Sequence, residues 1–136
     1  AVTIRMIKKV GVAMLGLAMQ TYGEKLSDQQ EVLSLVSDIL MDTYASESVV
    51  LRAQSTSDAA ESTAELQRDA ASVFVNDAAM RVEVSARTAV TAMAEGDALR
   101  THLAAVRRLL KVTPVNTVAI RQKLANRAVQ QAGYIF

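Results

Sequence analysis

The residues best placed to do chemistry lie near the end of the chain. Arg100, Arg107, Arg108, Lys111, Arg121, Lys123 and Arg127 all follow Asp97, and no Asp or Glu follows it. Residues 1–99 hold all 14 acids and 8 bases, a balance of −6, whereas residues 100–136 stand at +7. The formal total of +1 therefore conceals two oppositely charged ends. A basic run of this kind can meet an anionic surface, whether a protein, a lipid headgroup or a phosphate. These seven side chains are the candidate interaction face.

Nothing else in the sequence assembles into a reactive group. His102 is the single histidine and has no cysteine to share a metal with. Placed among Arg100, Arg107 and Arg108, it reads as an exposed bystander. The carboxylates are scattered, with no Glu-x-x-His pair of the di-iron bundle type. No Gly-x-Ser-x-Gly elbow and no glycine-rich phosphate loop occur, because the five glycines are isolated or terminal. Six methionines at helical spacing read as core filler before they read as a pliable groove. No catalytic, cofactor or metal residue is assigned.

The composition says what must position the basic face. A chain of 136 residues is one domain's worth, able to bury roughly two thirds of its unfolded surface. Its 51% hydrophobic and 21% charged content is globular. Zero cysteines exclude disulfides and thiol catalysis. One proline, five glycines and 4% aromatics leave few loop or strand signals, so the expected class is all-α. The chain opens on Ala1, so it has been either processed or cut from a longer protein, the second being the preferred reading, and residues 1–136 are expected to be a single helical domain.

Five helical segments follow from the pattern. The first spans 3–22 and centres on VGVAMLGLAM, Val10 to Met19. Ten apolar residues are too few for a membrane span, which needs about 20. The preferred reading is a helix buried on most of its faces, with Gly11 and Gly16 admitting a close neighbour. Gly23 ends it. Ser27-x-x-Gln30 reads as a capping box for a second helix from about Asp28 to Ser55. Its inward stripe would be Leu33, Val36, Leu40, Tyr44 and Leu51, with Val32, Ile39 and Val50 beside it. After a turn at Ser55-Thr56-Ser57-Asp58, a third helix covers about Ala60 to Ala94. Val73, Phe74, Met80, Val84 and Val90 would face inward there, and Asp77 would pair with Arg81 at i,i+4. Asp97 is the expected cap of a fourth helix, 98–111, with Leu99, Leu103, Val106, Leu109 and Leu110 on one side. Thr113-Pro114 opens a fifth, 114–132, with an apolar stripe of Val118, Ile120, Leu124, Ala128 and Val129 before Gly133. The expected architecture is an antiparallel four-helix-type up-and-down bundle, its last position broken into two segments.

The order of these segments resembles a known family. Leu33 to Gln54, LSLVSDILMDTYASESVVLRAQ, is similar to the helix that opens the C-terminal extension of acyl-CoA dehydrogenases of the very-long-chain type, which bacterial relatives share. VGVAMLGLAMQTYGEKLSDQQEVL resembles that extension's apolar helix, short turn and restart. VFVNDAAMRVEVSARTAVTAM, residues 73–93, resembles its alanine-rich helix, and RRLLKVTPVNTVAIRQKLANRAVQQAG its basic closing helices. The likeness implies a non-catalytic domain of a flavin-dependent enzyme of fatty-acid β-oxidation. FAD and the catalytic glutamate would belong to the preceding core. The implied partners are that catalytic core and a second subunit.

Two partner classes compete for the basic face. The docking reading has the basic helices and the first helix packing on the core or a second subunit, in a cytoplasmic bacterial protein. The alternative is peripheral attachment to an anionic inner-membrane surface, where each basic residue contributes about 1 kcal/mol. The lack of Trp and the scarcity of Phe weaken that alternative. Nucleic acid is not expected, since no stacking aromatics interleave with the charge.

Overall fold

The computed structural model describes residues 2–55 and 61–136. Five α-helices account for most of them: α1 (Val2–Tyr22), α2 (Gln30–Ser55), α3 (Glu61–Met93), α4 (Gly96–Leu109) and α5 (Thr117–Gln131). A 3-10 segment, Gly23–Asp28, joins α1 to α2. No strand occurs among the described residues. The chain is all-α, as its composition requires. The expected turn at Thr56-Ser57-Asp58 and the expected helix start at Ala60 lie outside the described residues.

The first three helices run up, down and up around a common core. Along α1, Ile4, Ile7, Val10, Met14 and Ala18 recur every three or four residues and are buried. Ile7, Val10 and Met14 share one cluster with Val36 and Ile39 of α2 and Ala78, Ala79, Val82, Ala86, Ala89 and Val90 of α3. Alanine dominates α3's inner face because its small side chain lets α1 and α2 approach closely. The α2–α3 pairing is the most extensive in the molecule. Each fully buried Ile or Val contributes about 1.5–3 kcal/mol.

The fourth bundle position is shared. Helix α4 lies along the second half of α3 and against α1, burying Val106 while Leu99, Leu103, Leu109 and Leu110 pack on the core. Helix α5 runs antiparallel along the first half of α3. Its Lys123 reaches Glu65 and Asp69, and the connector before it is held at Val115, whose N–H donates to Asn76 Oδ1 at 3.0 Å. After α5 the chain folds back. Ile135 is buried, and Gln67 Nε2 donates to the Phe136 carbonyl at 2.9 Å.

Several local expectations are corrected. Helix α2 starts at Gln30, behind the 3-10 segment, so Ser27 does not cap it; Leu33 N–H donates instead to Gln29 O. Glu95, not Asp97, occupies the N-cap of α4, without a side-chain bond, and Gly96 takes φ +63. Asp97 pairs with Arg100. The cap of α5 is Asn116, whose Oδ1 accepts from Ala119 N–H at 3.0 Å; Thr113 and Pro114 stay in the connector. Ala132, not Gly133, adopts the left-handed conformation that ends α5.

The inward stripes are corrected in part: Val36 of α2 and Val73 and Val90 of α3 are buried as expected. On α2 the buried residues are Val32, Val36, Ile39, Thr43 and Ser46, while Leu40, Tyr44 and Leu51 are exposed. On α3, Met80 and Val84 face solvent. Of the α5 stripe, Ile120, Leu124 and Ala128 are half-buried and Val118 and Val129 exposed, and no residue of α5 is fully buried. Nor is α1 buried on most faces: Val12 and Met19 lie outside. Gly11 does meet a neighbour, since a Cβ there would lie 3.2 Å from Ile39 Cγ2, but nothing stands within 4 Å of one at Gly16.

Candidate interaction surfaces

Of the seven basic residues after Asp97, three lie on α4, three on α5, and Lys111 in the connector between them, since α4 ends at Leu109 and not at 111 as expected. On α4, Arg100 and Arg107 are spaced by seven, which places them on one face, and Arg108 lies beside them. These three and Lys111 are exposed. Arg100 Nη1 lies 2.6 Å from Asp97 Oδ1 one turn back. No ion pair engages Arg107, Arg108 or Lys111 among the described residues. His102 sits half-buried on the same helix.

On α5 the charge turns toward the chain itself. Lys123 Nζ lies 2.7 Å from both Glu65 Oε1 and Asp69 Oδ2, and Arg121 pairs with Asp77. Hydrogen bonds from Lys123 to Asp69 and then Glu65 raise its pKa above the ordinary lysine value. Arg127 reaches along α5 to Gln131, 3.2 Å away once the amide oxygen faces the guanidinium. The acids of α3 thus neutralise two of the seven basic residues, Arg121 and Lys123. The sequence alone could not show this, because the partners lie more than 40 residues apart.

Another clamp ties α2 to α3. Arg81 engages Asp42 in a forked geometry at 2.8 and 3.2 Å and stacks 5.6 Å from the Phe74 ring centroid. This replaces the expected Asp77–Arg81 pair. The hydrogen bond to Asp42 raises the Arg81 pKa in spite of partial burial. Beside this clamp, Met41, Met80 and Val84 line an open groove of about 530 Å3.

No chemically reactive constellation joins these surfaces. No three His, Cys, Asp or Glu side chains cluster as metal ligands among the described residues. No described helix is long and apolar enough to cross a membrane. The arrangement can bind through charge and through exposed apolar side chains.

Comparison with known proteins gives the domain its context. Residues 6–108 match the family described as acyl-CoA dehydrogenase, C-terminal domain. The chain is 36% identical over 123 residues to a "Probable acyl-CoA dehydrogenase" of Bacillus subtilis (strain 168), a match covering 90% of this chain and 21% of that protein. It also superposes on the crystal structure of an acyl-CoA dehydrogenase complexed with FAD from Bacillus anthracis, with a TM-score of 0.93 and 30% identity. That match covers 99% of this chain and 24% of the other. The chain thus spans about a quarter or less of these relatives, and it belongs to the acyl-CoA dehydrogenase family as its helical C-terminal domain.

Proposed function

We propose that this chain is the non-catalytic docking domain of a flavin-dependent acyl-CoA dehydrogenase of fatty-acid β-oxidation. It supports packing on the catalytic core and subunit assembly. One observation carries the reading: nearly the whole chain superposes on only 24% of an enzyme that was crystallised with FAD. The rest of such an enzyme is the natural partner for surfaces this domain leaves uncovered. The unpaired Arg107, Arg108 and Lys111 supply a cationic line that acidic groups on the core or a second subunit would meet.

The flavin belongs to that other portion. FAD requires a deep cleft with backbone N–H groups gathered on its pyrophosphate. The cavities among the described residues are open grooves between helix sides, such as the one at Ser62, Glu65, Lys123 and Arg127, where the acids would repel phosphate. These residues do not fit the cofactor.

Deleting residues 1–136 from the full-length enzyme tests the proposal. The expected result is a lower melting temperature or a lost oligomeric state, with flavin absorbance retained. A truncated enzyme with unchanged melting temperature and assembly overturns it.

A further inference from the structure

The face shared by α1 and α2 exposes more apolar side chain than a solvated helix pair should. Val12 and Met19 of α1 are 69% and 58% exposed; Tyr44 and Leu51 of α2 are 74% and 64% exposed. Leu40 is 45% exposed beside them. Spacings of seven on α1, and of four and seven on α2, align each set along one edge of its helix. Two contacts bring those edges together. A Cβ on Gly11 would lie 3.4 Å from Leu40 Cδ2, and Lys8 pairs with Glu47 across the same seam. Val12 therefore stands near Leu40, with Tyr44 one turn further along α2 and Leu51 beyond Glu47.

The charge pattern marks this face as one that is normally covered. Between Lys9 and Glu24 the sequence has no Asp, Glu, Lys or Arg, and the Lys8–Glu47 pair neutralises itself. Interface cores are depleted in charge and enriched in Met and aromatic residues, and monomers rarely expose contiguous apolar patches of more than a few hundred Å2. Gly16 lies between Val12 and Met19 on α1, and nothing stands within 4 Å of the point a Cβ would occupy there, so a neighbouring backbone could approach.

We infer that this α1–α2 face, and not the basic line of α4, is the principal seat of the preceding part of the dehydrogenase chain. The inference rests on the docking reading above and adds the surface. The occupant follows from length: the chain covers only 21% and 24% of its relatives, so most of such an enzyme lies outside it. A tethered partner is present at an effective concentration on the order of millimolar, which keeps a face of modest size covered. A free second copy has no such advantage and must supply about 800 Å2 per partner unaided.

Photo-crosslinking in the full-length enzyme decides the matter. With p-benzoylphenylalanine replacing Met19 or Tyr44, irradiation should yield crosslinked peptides joining these positions to residues that precede this domain. Crosslinks to α1 or α2 of another copy overturn the inference, as does the absence of any crosslink. The domain contains no cysteine, so Val12→Cys and Leu51→Cys offer an independent measure. Both should react with iodoacetamide at least tenfold more slowly in the native enzyme than in urea; equal rates overturn the inference. If the truncated enzyme loses stability while Val12→Cys labels freely, only the choice of face is wrong. If truncation changes nothing, the docking reading itself falls.

Discussion

Lys123 Nζ on α5 lies 2.7 Å from Asp69 Oδ2 on α3, the closing contact of a helix that fully buries none of its own side chains. Helix α5 is held by charge, through Lys123 and Arg121, and by the half-buried Ile120, Leu124 and Ala128, where α1 to α3 are held by full apolar burial. Interactions between exposed charges weaken as salt shortens the Debye length, about 10 Å at 0.1 M and 3 Å at 1 M. Spin labels at Ser62 and Gln130, which line the α3–α5 groove, should therefore show a broader distance distribution at 1 M salt. Lys123→Gln should broaden it at low salt.

The same pair fixes the direction of a pH effect. Because folding raises the Lys123 pKa above 10.5, the stabilisation is fully present below that value and is lost as pH climbs through the higher, folded pKa. The label separation should stay constant from neutrality to about pH 10 and widen above it. Lys123→Gln should abolish that alkaline transition. Its survival in the variant would assign the effect elsewhere.

Two asparagines anchor the connector that leads into α5. Asn116 Oδ1 caps the helix at Ala119 N–H, and the buried Asn76 accepts from Val115 N–H. Asn116→Ala should cost about 1 kcal/mol of stability by thermal unfolding, and Asn116→Asp should recover most of it. Asn76→Ala leaves a backbone donor without its partner and should cost about 1–3 kcal/mol.

How much of this was legible in the sequence depended on what decides each feature. Helix number and the stop at Gly23 were legible because they follow from local rules of periodicity and backbone freedom. The inward faces of α2 and α3 were legible only in part: Val36, Val73 and Val90 are buried as their spacing predicts, but other members of the expected stripes are not. Leu40, Tyr44, Met80 and Val84 are larger and more apolar than Thr43, Ser46, Ala78 and Ala86, yet the smaller set is buried. A helix in a close-packed bundle places small residues inward, and one that also has an outer partner carries a second apolar stripe. Hydrophobicity alone cannot rank the two. The basic run was legible as charge, but the pairing of Lys123 and Arg121 with Glu65, Asp69 and Asp77 was set by the tertiary fold. The start of α5 was placed at Thr113-Pro114 by its local signal, whereas the helix begins after Asn116, which caps it. The hydrogen bond from Val115 N–H to Asn76, set by the tertiary fold, ties down the connector just before that cap.

The two mid-helix glycines of α1 should behave oppositely. Gly16 has open space and exposed, helical surroundings, so Gly16→Ala should raise the stability of this chain by about 0.5–1 kcal/mol. At Gly11 a side chain meets Ile39 and Leu40, so Gly11→Leu should lower it by about 1–3 kcal/mol through overpacking. Chemical denaturation of the two variants side by side is the check. Similar effects of one sign would contradict the crossing geometry.

Ser46 is fully buried on α2 and its hydroxyl has no hydrogen-bond partner. A buried hydroxyl without compensation costs about 1–3 kcal/mol in protein mutational data. Ser46→Ala should thus be neutral or stabilising, whereas most core substitutions destabilise. A loss of more than about 1 kcal/mol on denaturant titration would mean the hydroxyl is satisfied after all.

The absence of any fully buried side chain on α5 bears on the order in which the molecule assembles. A transition state organised by the α2–α3 pairing, with α1 condensing on it, would have little use for a segment attached by surface charge and half-buried side chains. Substitutions such as Asn116→Ala should accordingly leave the refolding rate nearly untouched and appear in the unfolding rate. On this account the closing helix is the last part to arrive and the first to leave.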